Sequence, residues 1–133
     1  MGTLVLDTSV VIGFTRPDDA HHGTARAEIR AAGVRGDAMV LPATVLSESL
    51  VAAHRVGPAR AAEMRRALAA FFGAERSVDG DIADRAAALR ATHPSLRLPD
   101  ALVVATAIVV EAVVLTCDHR LGRIDERVQV VGR

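Results

Sequence analysis

Residues Leu98–Asp118 read LPDALVVATAIVVEAVVLTCD. Pro99–Ala112 is almost wholly apolar over a helical length, the pattern of a helix buried on most sides. Val113–Thr116 is a short β-branched run and predicts a strand. A helix of that length leads about 18 Å away at ~1.5 Å per residue. The strand then returns about 13 Å at ~3.3 Å per residue. Asp100, in the first turn of the helix, and Asp118, just past the strand, therefore finish at the same end. A helix out and a strand back is also the repeating unit of a parallel sheet.

The same alternation runs outward from this stretch. Thr3–Leu6 predicts a strand and Thr8–Phe14 a short helix. Asp18–Ala32 predicts a second helix, with an acidic start and Gly33 after its end. Ala38–Leu41 predicts a strand stopped by Pro42. Thr44–Arg55 and Pro58–Phe72 predict helices parted by Gly57, with Pro58 in a first turn and Gly73 past the end. Arg76–Val78 predicts a weak strand, Ile82–Thr92 an Ala-rich helix stopped by Pro94, and Val128–Val131 a last strand after a turn at Gly122. Strand–helix alternation throughout implies an α/β fold: three α/β/α layers around a mostly parallel, roughly five-stranded sheet. The chain of 133 residues has the length of one domain, with no repeat or linker inside it.

Composition removes several functions. Half of the residues are apolar and 24% are charged, as in a globular fold. Phe14, Phe71 and Phe72 are the only aromatic residues, which argues against a binder that stacks bases on aromatic platforms. All 16 basic residues are arginines, so phosphate-loop lysines, Schiff bases and lysine general bases are excluded. The net charge is zero, so a polyanion must be held by a local patch rather than by the overall field. Cys117 is the single cysteine, which suits a reducing cytoplasm. No signal peptide is expected, and the longest mainly apolar stretch, Leu102–Val110, is shorter than the ~18 residues of a membrane span.

Four carboxylates fall where a parallel sheet binds ligands, beyond the carboxyl ends of its strands. Asp7 follows the first strand and Asp118 the fourth, and Asp100 opens the buried helix. Glu48 lies six residues after Pro42, about one and a half turns into a helix starting from the same edge. Its helical neighbours Val45 and Ala52 are apolar, so it borders a packed face. Singly, each of the three aspartates has a plain structural reading: Asp7 as a helix cap, Asp100 as a partner of the helix dipole, Asp118 as the cap of the turn at His119–Leu121. Glu48, among apolar neighbours, wants a partner or a task. Jointly, four acids on one edge repel unless a hard divalent cation binds their oxygens. One or two Mg²⁺ ions, with Mn²⁺ as a substitute, would then activate water and stabilise the oxygens of a phosphodiester undergoing hydrolysis.

At these residues the chain resembles the PIN-domain ribonucleases, and within them the VapC toxins of toxin–antitoxin pairs. The resemblance rests on Val5-Leu6-Asp7-Thr8-Ser9-Val10, on Pro42–Leu50 around Glu48, on Leu98–Ala107 around Asp100, and on Val114–Asp118. It spans nearly the whole chain, and its strength lies in the ordered set. One departure is that His119-Arg120-Leu121 follows Asp118, where many relatives carry an aromatic at the third place. The resemblance implies a PIN-like domain and a Mg²⁺-dependent endoribonuclease with Asp7, Glu48, Asp100 and Asp118 as metal and catalytic residues. It also implies a homodimer, an RNA substrate, and a VapB-like antitoxin that blocks the acidic pocket. The alternative is a catalytically silent PIN-like module that binds RNA or a protein. An aspartyl-nucleophile phosphatase fits poorly, because Ser9 stands where that chemistry wants a second aspartate and lysine is missing.

Ser9 and Thr116 are candidates to hydrogen-bond the acids, or else a helix cap and a strand end. Arg97 and Arg120 flank the two C-terminal acids, as phosphate grips or as solvated arginines. His119 reads as a surface histidine, and His21-His22 lack a third zinc ligand. Met64, Leu68, Phe71 and Phe72 form an apolar stripe for the core or for a partner helix.

Overall fold

The structure is a computed structural model that describes residues 2–131. Its centre is β1 (Thr3–Leu6), a strand whose last three residues are all buried. Two helices, α1 (Thr8–Thr15) and α2 (His22–Arg35), carry the chain to β2 (Ala38–Val40). Four more follow: α3 (Ala43–Val56), α4 (Pro58–Phe72), α5 (Gly80–Thr92) and α6 (Leu98–Val110). The chain closes with β3 (Val113–Thr116), a single 3₁₀ turn over Leu121–Arg123 and β4 (Val128–Val130). The strand order is β2-β1-β3-β4 and every pairing is parallel, with Val5 beside Val40 on one side and Val114 on the other.

That order locates the functional edge. From β1 the chain moves outward to β2, then returns past β1 to β3. The sheet therefore reverses direction of growth between β1 and β3. In open parallel sheets a crevice for ligands opens at such a reversal, beyond the carboxyl ends of the strands. The Asp7 amide extends the ladder at this point, donating to the Leu115 carbonyl at 3.0 Å.

The sheet has four strands where five are expected from sequence. Arg76 makes one parallel bridge, to Pro42, with its amide on the Leu41 carbonyl and its carbonyl on the Ala43 amide. The pairing stops there because α3 starts at Ala43 and takes the partner strand away. Helix α2 begins four residues later than expected. Asp19 instead holds a turn, accepting from the His21 amide at 2.9 Å. It also ends later, passing Gly33 and stopping at Gly36, whose positive φ of 77° suits glycine. Helix α6 ends at Val110, two residues short of Ala112, with Glu111 in the left-handed region.

Val5, Leu6, Val10, Val11, Val103, Val104, Val114 and Leu115 are fully buried at the centre of the core. Helix α6 packs on β1 and β3, with α5 along its outer side. Thr106, the one hydroxyl in that apolar helix, satisfies itself on the Leu102 carbonyl at 2.7 Å. The core claims Leu68 and Phe72 from the α4 stripe, whereas Phe71 is 61% exposed and stacks edge-on with Phe14. Among the described residues no helix is long and apolar enough to cross a membrane.

Candidate active site

Asp7 sits at the crevice between β1 and β3 and is only 6% exposed. Although it precedes α1, its side chain makes no capping bond to that helix. It is held by two hydroxyls instead. Thr116 Oγ1 donates to Asp7 Oδ2 at 2.6 Å and Ser9 Oγ donates to the same oxygen at 3.1 Å. Each hydroxyl is itself oriented from behind by a backbone donor. The Asp118 amide donates to Thr116 Oγ1 and the Cys117 amide to Ser9 Oγ, both at 3.0 Å. A hydroxyl that accepts from an amide must spend its own proton elsewhere, and here the carboxylate receives it. Parallel pairing of β1 and β3 brings Ser9 and Thr116 together across 107 residues of sequence.

Burial raises the Asp7 carboxyl above its ordinary 3.8; the Thr116 and Ser9 hydroxyls and the nearby Thr8 backbone amide oppose this, and repulsion from Asp100 adds to it. Asp100 is raised as well, by burial first, against the lowering effect of Arg97 and with further repulsion from Asp118 and Glu48. Burial is the larger cause at both acids, and Asp100 is the one whose repulsion involves each of the other three. Its charge reaches Asp7, and those of Asp118 and Glu48 reach it.

Asp100 and Asp118 line one cleft of about 170 Å³ together with Arg97 and Arg120. Asp100 Oδ2 lies 3.5 Å from Arg97 Nε, three residues back at the start of α6. Asp118 Oδ1 accepts from the Arg120 amide at 2.9 Å, so it does cap the turn, and faces Arg120 Nε at 3.4 Å. Glu48 lies on α3 and lines a different groove, between α1, α3 and α4, that shares no lining residue with this cleft. Thr8 Oγ1 donates to Glu48 Oε1 at 2.7 Å and ties that carboxylate to the residue next to Asp7. Thr8 was not singled out from sequence, where its place after Asp7 reads only as a helix start. The available signal was a hydroxyl beside a strand-end aspartate, in a chain whose Glu48 lacked a partner.

Among the described residues no three Asp, Glu, His or Cys side chains are arranged to ligate one ion directly. Two of the acids, Asp100 and Asp118, face arginines. The donor set nonetheless fits a hard cation. All four groups are carboxylates, and two carry raised proton affinity that a bound cation would relieve. Mg²⁺ in particular keeps waters and takes one or two carboxylates rather than a complete protein cage. His119 and Arg120 are exposed, and Cys117 is a buried thiol that burial pushes above its ordinary range.

A parallel α/β fold with carboxylates at its reversal point defines a broad class of scaffolds rather than one protein. The PIN domain family model matches residues 4–127, and the chain belongs to the PIN domain family. No curated protein matches the chain. Among solved structures it is similar to a toxin–antitoxin complex from Klebsiella pneumoniae, at 23% identity over 96% of both chains with a TM-score of 0.75. It is similar to VapBC2 from Rickettsia felis bound to a promoter DNA fragment, at 12% identity over 97% of this chain and 98% of that one, TM-score 0.73. It is also similar to VapC20 of Mycobacterium tuberculosis, a toxin that cleaves the sarcin–ricin loop, at 19% identity over 90% and 93%, TM-score 0.70.

Proposed function

We propose that the chain is a Mg²⁺-dependent endoribonuclease, with Mn²⁺ as a substitute, and the toxin of a type II toxin–antitoxin pair. It acts in the cytoplasm as a homodimer on RNA and is silenced by a VapB-like antitoxin. The observation that carries the reading is the buried Asp7 at the β1/β3 reversal, its carboxylate aimed by the Thr116 and Ser9 hydroxyls. Family membership and a shared fold with VapC toxins support it.

Asp7 and Asp100 are the principal metal ligands in this reading, with Asp118 and Glu48 completing the site directly or through water. The bound ion would supply an activated water and neutralise charge on the phosphodiester. The chain's own part is positioning. Thr116 and Ser9 hold Asp7 Oδ2, so the carboxylate enters the crevice in one orientation. Thr8 does the same for Glu48. Such outer partners fix a ligand's direction and sharpen its affinity for metal.

Calorimetric titration of Mn²⁺ into the wild type and Asp7→Asn, paired with cleavage of a labelled RNA in Mg²⁺ and in chelator, tests the reading. Binding and cleavage in the wild type, both lost in the variant, are expected. Equal Mn²⁺ affinity in both proteins would overturn the metal assignment. Metal-independent RNA binding without cleavage would instead describe a silent module.

A further inference from the structure

The cleft holding Asp100 and Asp118 is lined by two cations among the described residues, Arg97 and Arg120. Each faces the acid on its own side of the cleft, at 3.5 Å and 3.4 Å. Among the described residues neither side chain has another ion-pair partner. The Arg97 side chain is 69% exposed and that of Arg120 is 89% exposed, whereas their acids are 24% and 30% exposed. Exposed pairs of this kind are weak and are easily exchanged for a better partner. Their acids are the half-buried, fixed members, and the arginines are the movable ones.

The charge balance gives these arginines a second use. The chain carries no net charge, so its affinity for a polyanion has to come from cations close to the reacting strand. A planar guanidinium can fork onto two phosphate oxygens as readily as onto a carboxylate. Once a cation satisfies Asp100 and Asp118, both forks lose their reason to point inward while remaining at the cleft rim.

Resting on the nuclease reading above, we propose that Arg97 and Arg120 are exchangeable clamps. They neutralise Asp100 and Asp118 in the metal-free protein, and grip backbone phosphates of a bound RNA strand when a divalent cation takes the carboxylates. Metal binding and RNA binding are then coupled through these two side chains, and each favours the other.

The test uses a fluorescein-labelled 2′-O-methyl RNA, read by anisotropy, with wild type, Arg97→Gln, Arg120→Gln and the two Arg→Lys variants. In Mn²⁺, each Arg→Gln change is expected to weaken RNA binding about 3–10-fold and to reduce the salt slope by about 0.7. In chelator the same changes should alter RNA binding less than about 2-fold, because the arginines are already engaged there. Without RNA, calorimetry should show Mn²⁺ binding the Arg→Gln variants about 2–5-fold more tightly, since a competing cation has gone. The Arg→Lys variants should keep the salt slope and lose part of the affinity, as a point charge replaces a fork.

Equal weakening with and without metal would overturn the exchange and leave a fixed basic patch. Unchanged RNA affinity in Mn²⁺ would overturn the phosphate grip and leave counter-ions only. If the wild type cleaves RNA in Mg²⁺ while the arginine variants match it in every arm, this proposal fails alone. If the wild type neither binds Mn²⁺ nor cleaves RNA, the nuclease reading fails and takes the clamps with it.

Discussion

The crevice holds its acids in two different ways. Asp7, on the inner side, is buried and fixed by two neutral hydroxyls that backbone amides have aimed at it. Asp100 and Asp118, on the outer side, face arginines that lie mostly in water. A hydroxyl network specifies geometry without cancelling charge, so the Asp7 carboxylate stays costly to ionise. An exposed arginine cancels charge without specifying geometry, and solvent keeps the pair weak. The inner acid is therefore built to aim and the outer acids to exchange partners. Helix α6 carries Asp100, and Asp118, two residues past β3, is held by the Arg120 amide, so the exposed arginine tips are the members free to move.

The largest effect that separates the two sides concerns activity. Asp7→Ala should lower RNA cleavage at least about 10³-fold, as for loss of a metal ligand with no replacement. Thr116→Val, which removes the 2.6 Å bond to Asp7 together with the acceptor of the Asp118 amide, should lower cleavage and Mn²⁺ affinity about 10–100-fold. Single-turnover cleavage at saturating metal separates the two. A Thr116→Val protein with full activity would show that the inner acid needs no aiming.

Stability gives the next contrast. Thr116→Val leaves a buried carboxylate with one hydroxyl fewer and the Asp118 amide without its acceptor, and should cost about 1.5–3 kcal/mol, read from urea unfolding in chelator. Asp7→Asn should act in the opposite direction. Its carboxyl is raised in the folded chain, so the fold is favoured while that group is protonated, below the ordinary 3.8. That contribution is lost as pH rises through the folded value. At neutral pH in chelator, Asp7→Asn should therefore be more stable by about 0.5–2 kcal/mol, with the gap opening as pH climbs. Saturating Mg²⁺ should reverse the order, because binding energy accrues only to the wild type. A variant no more stable than the wild type in chelator would mean that Asp7 carries no uncompensated charge.

How much of this was legible in the sequence divides along the same line. The ends of β1 and β3 were, because β-branched runs such as Val113–Thr116 stop where their periodicity stops, and Asp7 and Asp118 could be set on one edge; β2 and β4 each stop one residue sooner than expected. The parallel class followed from the strand–helix alternation. The fifth strand was overestimated because Arg76–Val78 has strand-like residues, yet pairing needs a neighbour that continues, and β2 gives way to α3 at Ala43. The start of α2 was misjudged because Asp18-Asp19 resembles a helix opening, whereas Asp19 closes a turn first. At the site, residue types near the strand ends pointed to Ser9 and Thr116, but their shared grip on one oxygen is a property of the β1/β3 register. Thr8 escaped notice for a related reason: its partner Glu48 lies 40 residues away on α3, and no local pattern reports a contact of that kind.

The smallest expected effect is the sharpest test of the comparison. If the outer arginines are movable, their ion pairs contribute little to the fold, whatever they contribute to binding. Both pairs are exposed on the arginine side, and holding a long side chain still offsets most of what the pair gains. Arg97→Gln and Arg120→Gln should each shift Tm by less than about 2 °C in chelator. Added salt should change that shift little, because screening removes an interaction that was already weak. The two changes together should remain near zero, since separate weak contacts on different elements add. A drop of more than about 5 °C in either variant would make that arginine a structural pin like Thr116. The outer acids would then be fixed rather than exchangeable, and the division between an aiming side and an exchanging side would collapse.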